Sequence, residues 1–379
     1  MQAVASEAQR GINIVDGPSV RLDYFDCGPA QSGRLLIVIH HLAVDAVAWR
    51  ILLEDLQTAY EQLASGAPVV LPANTTPLRQ WSRRLSEYAQ TEAAEAELPY
   101  WLSLGQARVT PLPVDADTDD NTVATVDDIF LELDEEETEA LLKDVPQAYK
   151  TQINDVLLTA LAQVFAGWTK QSELFVHLEG HGREPLADDL DVSRTVGWFT
   201  TLYPLRLTLP ATNDLADALI TVKEQMRAIP HHGRNYGVLR YLSHKDTIRQ
   251  GLRALPEPPV VFLYLGRFEQ GLTGTRGLFA SATESAGPVR SGYGRRQHLL
   301  EITAMVSGNR LRVCWTYSTA RHRRATVEGI ADGYMTSLRK LIAHCRAVQA
   351  PRFTASDFPA ARLNQAMLEQ LAASLNKSG

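Results

Sequence analysis

Apolar residues recur along this chain in two rhythms, and the switches between them predict a mixed α/β protein. Arg34 to His41 (RLLIVIHH) is a continuous apolar run of strand length, which reads as a buried strand. Asp45 follows where a helix N-cap belongs. Trp49, Leu52, Leu53, Leu56, Tyr60 and Leu63 then recur at helical spacing. A second helical stretch is predicted from Pro77 to Leu104, a Pro- and Asp-rich loop from Thr110 to Asp128, and a half-buried strand from Asp128 to Asp134. Thr151 is placed to cap a strongly amphipathic helix carrying Ile153, Val156, Leu157, Leu161, Val164, Phe165 and Trp168.

The second half repeats the mixture. Glu173 to Leu178, Thr201 to Leu209 and Pro259 to Leu265 read as strands, and Asp214 to Ile229 as a helix. Leu299–Val306 and Arg310–Tyr317 flank Ser307-Gly308-Asn309, a hairpin signal. Ala325 to Ala343 reads as a last long helix. The 379 residues suit two lobes, divided into 1–145 and 146–379.

Composition narrows the class. A hydrophobic share of 45% and a charged share of 21% are those of a folded globular protein, not of a disordered or collagen-like chain. The longest apolar run, Leu35 to Ile39, is far short of the ~18 residues of a membrane helix. The N-terminus lacks the basic start and apolar stretch of a signal peptide, so a cytoplasmic, membrane-free protein is expected. Cys27, Cys314 and Cys345 are far apart and odd in number, which suggests neither a disulfide frame nor a metal site.

The net charge of −7 is unevenly spread. Val114 to Ala140 carries twelve acids and no base, whereas Arg290 to Arg346 carries ten Arg and one Lys against three acids. The basic stretch, with Arg295 and Arg296 in a Gly-flanked loop and Arg323 and Arg324 before the last helix, reads either as a docking surface for an acidic partner or as a solvated face partly paired with the acidic stretch. Aromatic residues are not interleaved with these bases as a nucleic-acid platform requires.

Three stretches concentrate groups able to do chemistry. His40 and His41 stand at a strand exit, where catalytic groups collect and where histidine titrates near neutrality. Glu179-Gly180-His181-Gly182-Arg183-Glu184 crowds four ionisable groups and two glycines directly after an apolar strand. Arg194 to Thr201 (RTVGWFTT) mixes polar and aromatic residues before another strand, with Trp198 at its centre.

In order along the chain, HHLAVDAVAW, LEGHGRE, SRTVGWFTTLYP, PHHGRNYG, VFLYLG, AGPVRSGYGRRQHLLEI and FTASDFP resemble the epimerization domains of nonribosomal peptide synthetases, within the condensation-domain superfamily. The resemblance implies two chloramphenicol-acetyltransferase-like lobes in a V, with the site in a tunnel between them. It implies inversion of the α-carbon of an aminoacyl or peptidyl group held as a thioester on a carrier protein's phosphopantetheine arm. The catalytic pair would be His41 and Glu179. His40, Asp45, His181, Arg183, Trp198 and Tyr264 would support it, Asp45 structurally, through an arginine or as a helix cap.

The carrier protein would bring the phosphopantetheine, so no cofactor or metal of the protein's own is expected, and neighbouring adenylation and condensation domains would be its partners. A carrier protein presents an acidic surface, which the arginine cluster could meet. Alternatives within the resemblance are a condensation-type acyltransferase and a degenerate docking module. The sequence departs from the family in four ways: the opening strand, helix and motif are expected before Met1 and not found, Ala46 replaces a glycine, Ala48 replaces the usual serine, and Leu263 replaces an asparagine. Alanine at 46 is strained if that position needs positive φ and harmless if it opens a helix.

Overall fold

The structure is a computed structural model that describes residues 1–106, 109, 111–267, 278–280, 282–348, 351–361, 366–368 and 370. Its elements run α1 (Gln2–Arg10), β1 (Val20–Phe25), β2 (Arg34–Ile39), α2 (Ala46–Ala64), α3 (Leu78–Tyr88), α4 (Glu92–Glu95), α5 (Leu98–Ser103), β3 (Val126–Glu132), α6 (Glu135–Tyr149) and α7 (Ile153–Thr169). Then come β4 (Glu173–Gly180), β5 (Thr201–Thr208), α8 (Leu215–Arg227), α9 (Arg234–Gly237), α10 (Asp246–Arg253), β6 (Val260–Arg267), β7 (Leu300–Ser307), β8 (Arg310–Ser318) and α11 (Arg324–Ala347). The class is mixed α/β, as the sequence pattern predicts.

A six-stranded mixed sheet, in the order β3-β8-β7-β6-β4-β5, organises most of the chain. Strands β4, β6 and β7 run parallel, and the remaining pairs are antiparallel. The β7–β8 hairpin closes as predicted, from Leu300↔Tyr317 to Ser307↔Arg310. Its turn works because Gly308 (φ +58°) and Asn309 (φ +59°) both accept the left-handed conformation of a primed turn. Burial alternates strictly along β7: Leu300, Ile302, Ala304 and Val306 face a helix layer, and Glu301 and Thr303 face the other way.

Helices α6, α7, α8 and α11 pack on that apolar face. Helix α7 lies innermost: Val156, Leu157, Leu158, Ala160 and Leu161 have no exposed surface. Each such Leu or Val contributes about 1.5–3 kcal/mol by burial. Its N-cap is Gln152 with Asp155 in a capping box, not Thr151, whose hydroxyl is buried without a partner. Helix α6 starts on a full capping box between Asp134 and Glu137, with Glu135 and Glu136 in its first turn.

The boundary predicted between 1–145 and 146–379 falls within α6. Strand β3 is an edge of the large sheet, paired with β8 over Val126↔Ser318 to Glu132↔Arg312, and α6 belongs to its helix layer. Ala94, Trp101 and Leu104 are already in the main core. A strand can be completed by a partner far along the chain, so chain order does not locate the seam. The continuous stretch predicted from Pro77 to Leu104 is likewise three helices, broken where Thr91 caps α4 and Pro99 opens α5.

The N-terminal part is thinner. Among the described residues, strands β1 and β2 pair only with each other, from Val20↔Ile39 to Phe25↔Arg34. Contrary to the buried reading, β2 is half-exposed, and Leu22, Tyr24, Leu56, Tyr60 and Leu63 lie at the surface. Of α2, only Ala48 and Ile51 are fully buried.

One polar cluster is buried on the face of the sheet opposite the helices. His177 Nδ1 and His298 Nε2 are 2.8 Å apart, with Glu257 3.8 Å from His177 Nε2. Burial lowers the pKa of His177 to about 4, reinforced by His298 and Arg240 and opposed by Glu257. The unfolded chain therefore binds a proton here near pH 6.5, whereas the folded chain resists it down to about pH 4. Stability should fall as pH drops through that window, by on the order of 2–3 kcal/mol from this residue, and level off below it. Urea titrations of the wild type and His177→Gln at pH 7.5 and 4.5 measure this: the variant should lose less stability between the two pH values.

Candidate active site

Asp45 organises the junction between the two parts of the chain. It is 3% exposed, and its Oδ1 accepts from Ala48 N at 2.7 Å, capping α2 as predicted. Helix α2 begins at Ala46, so the alanine there opens a helix and carries no strain. The same carboxylate accepts from Arg183 Nη2 at 3.1 and 3.2 Å and from Phe199 N at 3.0 Å. One side chain thus gathers all three chemistry-bearing stretches. Arg183 also donates to the carbonyls of Val192 (2.7 Å) and Thr195 (2.9 Å), and its guanidinium lies 4.1 Å from the Phe199 ring centroid.

Glycine is required in this loop. Gly182 sits at φ +67°, and a Cβ there would fall 1.7 Å from Phe199 O. Close backbone approach brings the 179–184 loop against the Arg194–Phe199 turn. That turn is in turn held to the N-terminal part. Arg194 pairs with Glu54 (3.4 Å) and Asp55 on α2, and Thr195 Oγ1 donates to Thr76 O at 2.6 Å. Trp81, Leu190, Val192 and Phe199 form a small separate core there.

The two histidines have different surroundings. His40 is half-buried, and its Nδ1 accepts from Leu42 N at 3.1 Å, which fixes its ring as a turn cap. His41 is exposed and meets Trp198 edge-on, with ring centroids 5.5 Å apart at 67°. Glu179 is the penultimate residue of β4, half-buried, on the sheet face shared with His177. Burial raises its carboxyl above the ordinary range, with Glu301 adding to the shift and the charges of His41 and Arg290 opposing it. The charge of His41 therefore acts on Glu179 across the junction.

Other predicted residues are placed less directly. His181 is exposed. Its Nδ1 accepts from Arg183 N at 3.0 Å, and its Nε2 lies 3.6 Å from Glu184, so it caps the loop. Tyr264 is not brought to Glu179: strand alternation turns it to the opposite face, where it packs on the main core opposite Ala304. Leu263, not Tyr264, shares the face of Glu179.

The arginine cluster is mostly engaged within the molecule. Arg296 is no docking residue. Its side chain is 2% exposed and bonded to Glu301 at 3.1 Å, Thr316 O and Asn121. Arg324 pairs with Asp127 and Glu328, Arg339 with Glu137, and Arg346 with Glu136 and Asp144. The basic stretch thus packs largely on the acidic one. Arg295, which donates to Asp119 O, and Arg323 remain exposed.

Several site neighbours carried no signal in the chain. The His177–His298 pair and the caught carboxylate of Glu97 appear only after folding. Glu97 is 6% exposed and holds Trp101 Nε1 (3.1 Å), Asn235 Nδ2 (2.6 Å) and His231. That contact anchors the PHHG turn, where His231 and His232 take positive φ and Gly233 abuts the Tyr203 ring. No group of three or more His, Cys, Asp or Glu suited to a metal occurs among the described residues. None of their helices is long and apolar enough to cross a membrane.

With this geometry in place, comparison with known proteins decides the family: residues 1–364 match the condensation domain. The chain belongs to the condensation-domain family. It is 46% identical over 371 residues to one of the linear gramicidin synthase proteins of Brevibacillus parabrevis, covering 98% of this chain and 7% of that protein. It is 37% identical to tyrocidine synthase 1 of the same organism, over 94% of this chain and 34% of that protein. The crystal structure of the epimerization domain from the third module of tyrocidine synthetase B superposes with a TM-score of 0.86 at 34% identity, over 92% of this chain and 77% of that one. This condensation-family domain thus spans about a third or less of those two synthases, and shares its fold with an epimerization domain.

Breaking the junction should be costly. In Arg183→Met, Asp45 is left buried without its cation, and such losses cost about 3–5 kcal/mol. Denaturant unfolding measures this. A loss below about 1 kcal/mol, the range of exposed pairs, would mean that the pair is solvated rather than buried.

Proposed function

We propose that this domain inverts the α-carbon of an aminoacyl or peptidyl group held as a thioester on a carrier protein's phosphopantetheine arm, within nonribosomal peptide synthesis. The observation that carries the reading is the pairing of Glu179 with His41. A half-buried carboxyl of raised pKa stands across the junction from an exposed imidazole, whose charge acts on that carboxyl. The likeness to a solved epimerization domain supports it.

Inversion needs one group to take the α-proton from one face and another to return a proton to the opposite face. The thioester acidifies the α-carbon and holds the electron pair as an enolate while the carbon is planar. Raising its pKa makes Glu179 a stronger base than a surface carboxylate, and a better-matched proton donor near neutrality. Roles exchange with direction: the group that gives a proton when the L form is made removes it when the D form is made. The phosphopantetheine arrives as part of the substrate, and the proton balance closes on the two side chains.

Of the arginine cluster, Arg295 and Arg323 are left to meet an acidic carrier protein. Such contacts act mainly on association rate and weaken with salt.

The test is α-proton exchange in deuterated water with an aminoacyl-loaded carrier protein. His41→Ala and Glu179→Gln should each slow exchange by at least about 10²-fold, as expected for losing a positioned acid or base. Circular dichroism should stay unchanged. Peptide-bond formation that survives Glu179→Gln, in a domain that shows no α-proton exchange, would favour a condensation-type acyltransferase, in which His41 alone assists amine attack on the thioester.

A further inference from the structure

We propose that Trp198 is the positioning residue for His41, supplying from the opposite side of the junction the orienting contact that a carboxylate or carbonyl usually gives a working histidine. The proposal rests on the reading of His41 as one of two proton-handling groups.

The His41 ring needs such a contact. It stands on a three-residue 3₁₀ turn, His41–Ala43, and is exposed. Among the described residues neither of its ring nitrogens has a hydrogen-bond partner, whereas His40 is tied to Leu42 N. An exposed side chain without a partner samples several rotamers, and only one of them presents its nitrogen to a substrate carbon. The contact that His41 does make is the edge-on meeting with Trp198, at 5.5 Å and 67°, an arrangement that aromatic rings prefer over a face-to-face sandwich.

Trp198 is 45% exposed, and the turn that carries it is fastened on both sides. The next residue, Phe199, donates its N–H to Asp45, four positions beyond His41. On the other side, Gly197 presses on α3, where a Cβ would lie 2.9 Å from Leu78. Thr195 and Arg194 fasten the turn to Thr76 and α2. The indole and the imidazole are therefore referenced to the same carboxylate, and their spacing survives small motions of one part of the chain against the other. The RTVGWFT stretch thereby acquires a specific role, as the carrier of an aromatic stop for the catalytic ring.

The competing use of an exposed indole is as a wall for the substrate, and kinetics separate the two. Exchange rates on loaded carrier protein would be measured for Trp198→Ala, Trp198→Leu and Trp198→Phe, with the leucine variant covering a failure of the alanine variant to fold. Positioning predicts a kcat about ten- to hundredfold lower in the alanine and leucine variants. KM should stay within about threefold of the wild type. Phenylalanine should restore kcat to within about fivefold. The His41 Cε1–H resonance, identified by its loss in His41→Ala, should shift in the alanine variant as the indole ring current disappears. A raised KM with kcat intact would make Trp198 a substrate wall, and an unmoved His41 resonance would remove the contact; either overturns the proposal. A wild-type domain without exchange would instead sink the epimerase reading, while the resonance still decides whether Trp198 orients His41.

Discussion

The Asp45 carboxylate, nearly buried where the two parts of the chain meet, is the constraint on which the rest of the site depends. It caps α2, accepts from the backbone of Phe199 and holds the guanidinium of Arg183. The last two contacts come from segments 138 and 154 residues away in sequence. A buried charge is tolerable only when fully compensated, and here the compensation is the geometry of the site. Remove any of the three donors and the carboxylate is left buried with less than its charge requires, so the positions of His41, the 179–184 loop and Trp198 are coupled.

Around that point, the division of labour follows from rigidity. Glu179 stands on an inner strand of the six-stranded sheet, backed by the largest core in the molecule, and its surroundings push its proton affinity up. His41 stands on a short turn at the end of a two-stranded, half-exposed sheet. Glu179 is fixed by the main sheet, and His41 is met by a contact across the junction. This asymmetry explains why so many polar links (Arg194 to α2, Thr195 to Thr76, Arg34 to Glu284) tie the two parts together.

The charge pattern has a structural use. The acidic stretch contributes β3 and α6, and the basic stretch contributes β8 and α11; these pack as neighbours. Arg310, Arg312, Arg324, Arg339 and Arg346 meet Glu132, Asp127, Glu137 and Glu136 at the rim. Exposed pairs of this kind add little stability each, but their pattern favours this register of two distant segments over others.

The sequence by itself determined much of the local structure. Strand alternation and turn residues set the β7–β8 hairpin, because a primed turn needs residues such as Gly308 and Asn309 that accept positive φ. Asp45 was legible as a cap because capping is a contact between near neighbours in the chain. His41 and Glu179 were singled out only by the resemblance of the ordered motifs to a known family, because neither stretch by itself says which of its ionisable groups matters. Tertiary structure decided what depends on distant partners. Strand β3 joined the large sheet because its hydrogen-bonding partner is β8, a pairing that leaves no mark on residues 126–132. Tyr264 turned away from Glu179 through strand parity, and Arg296 became a buried ion-pair partner instead of a surface charge. The contact of Trp198 with His41 exists only once two separate walls are brought together, and the rise in the proton affinity of Glu179 comes from burial in the assembled fold. Burial and through-space charge are properties of the assembled fold, and no single segment contains them.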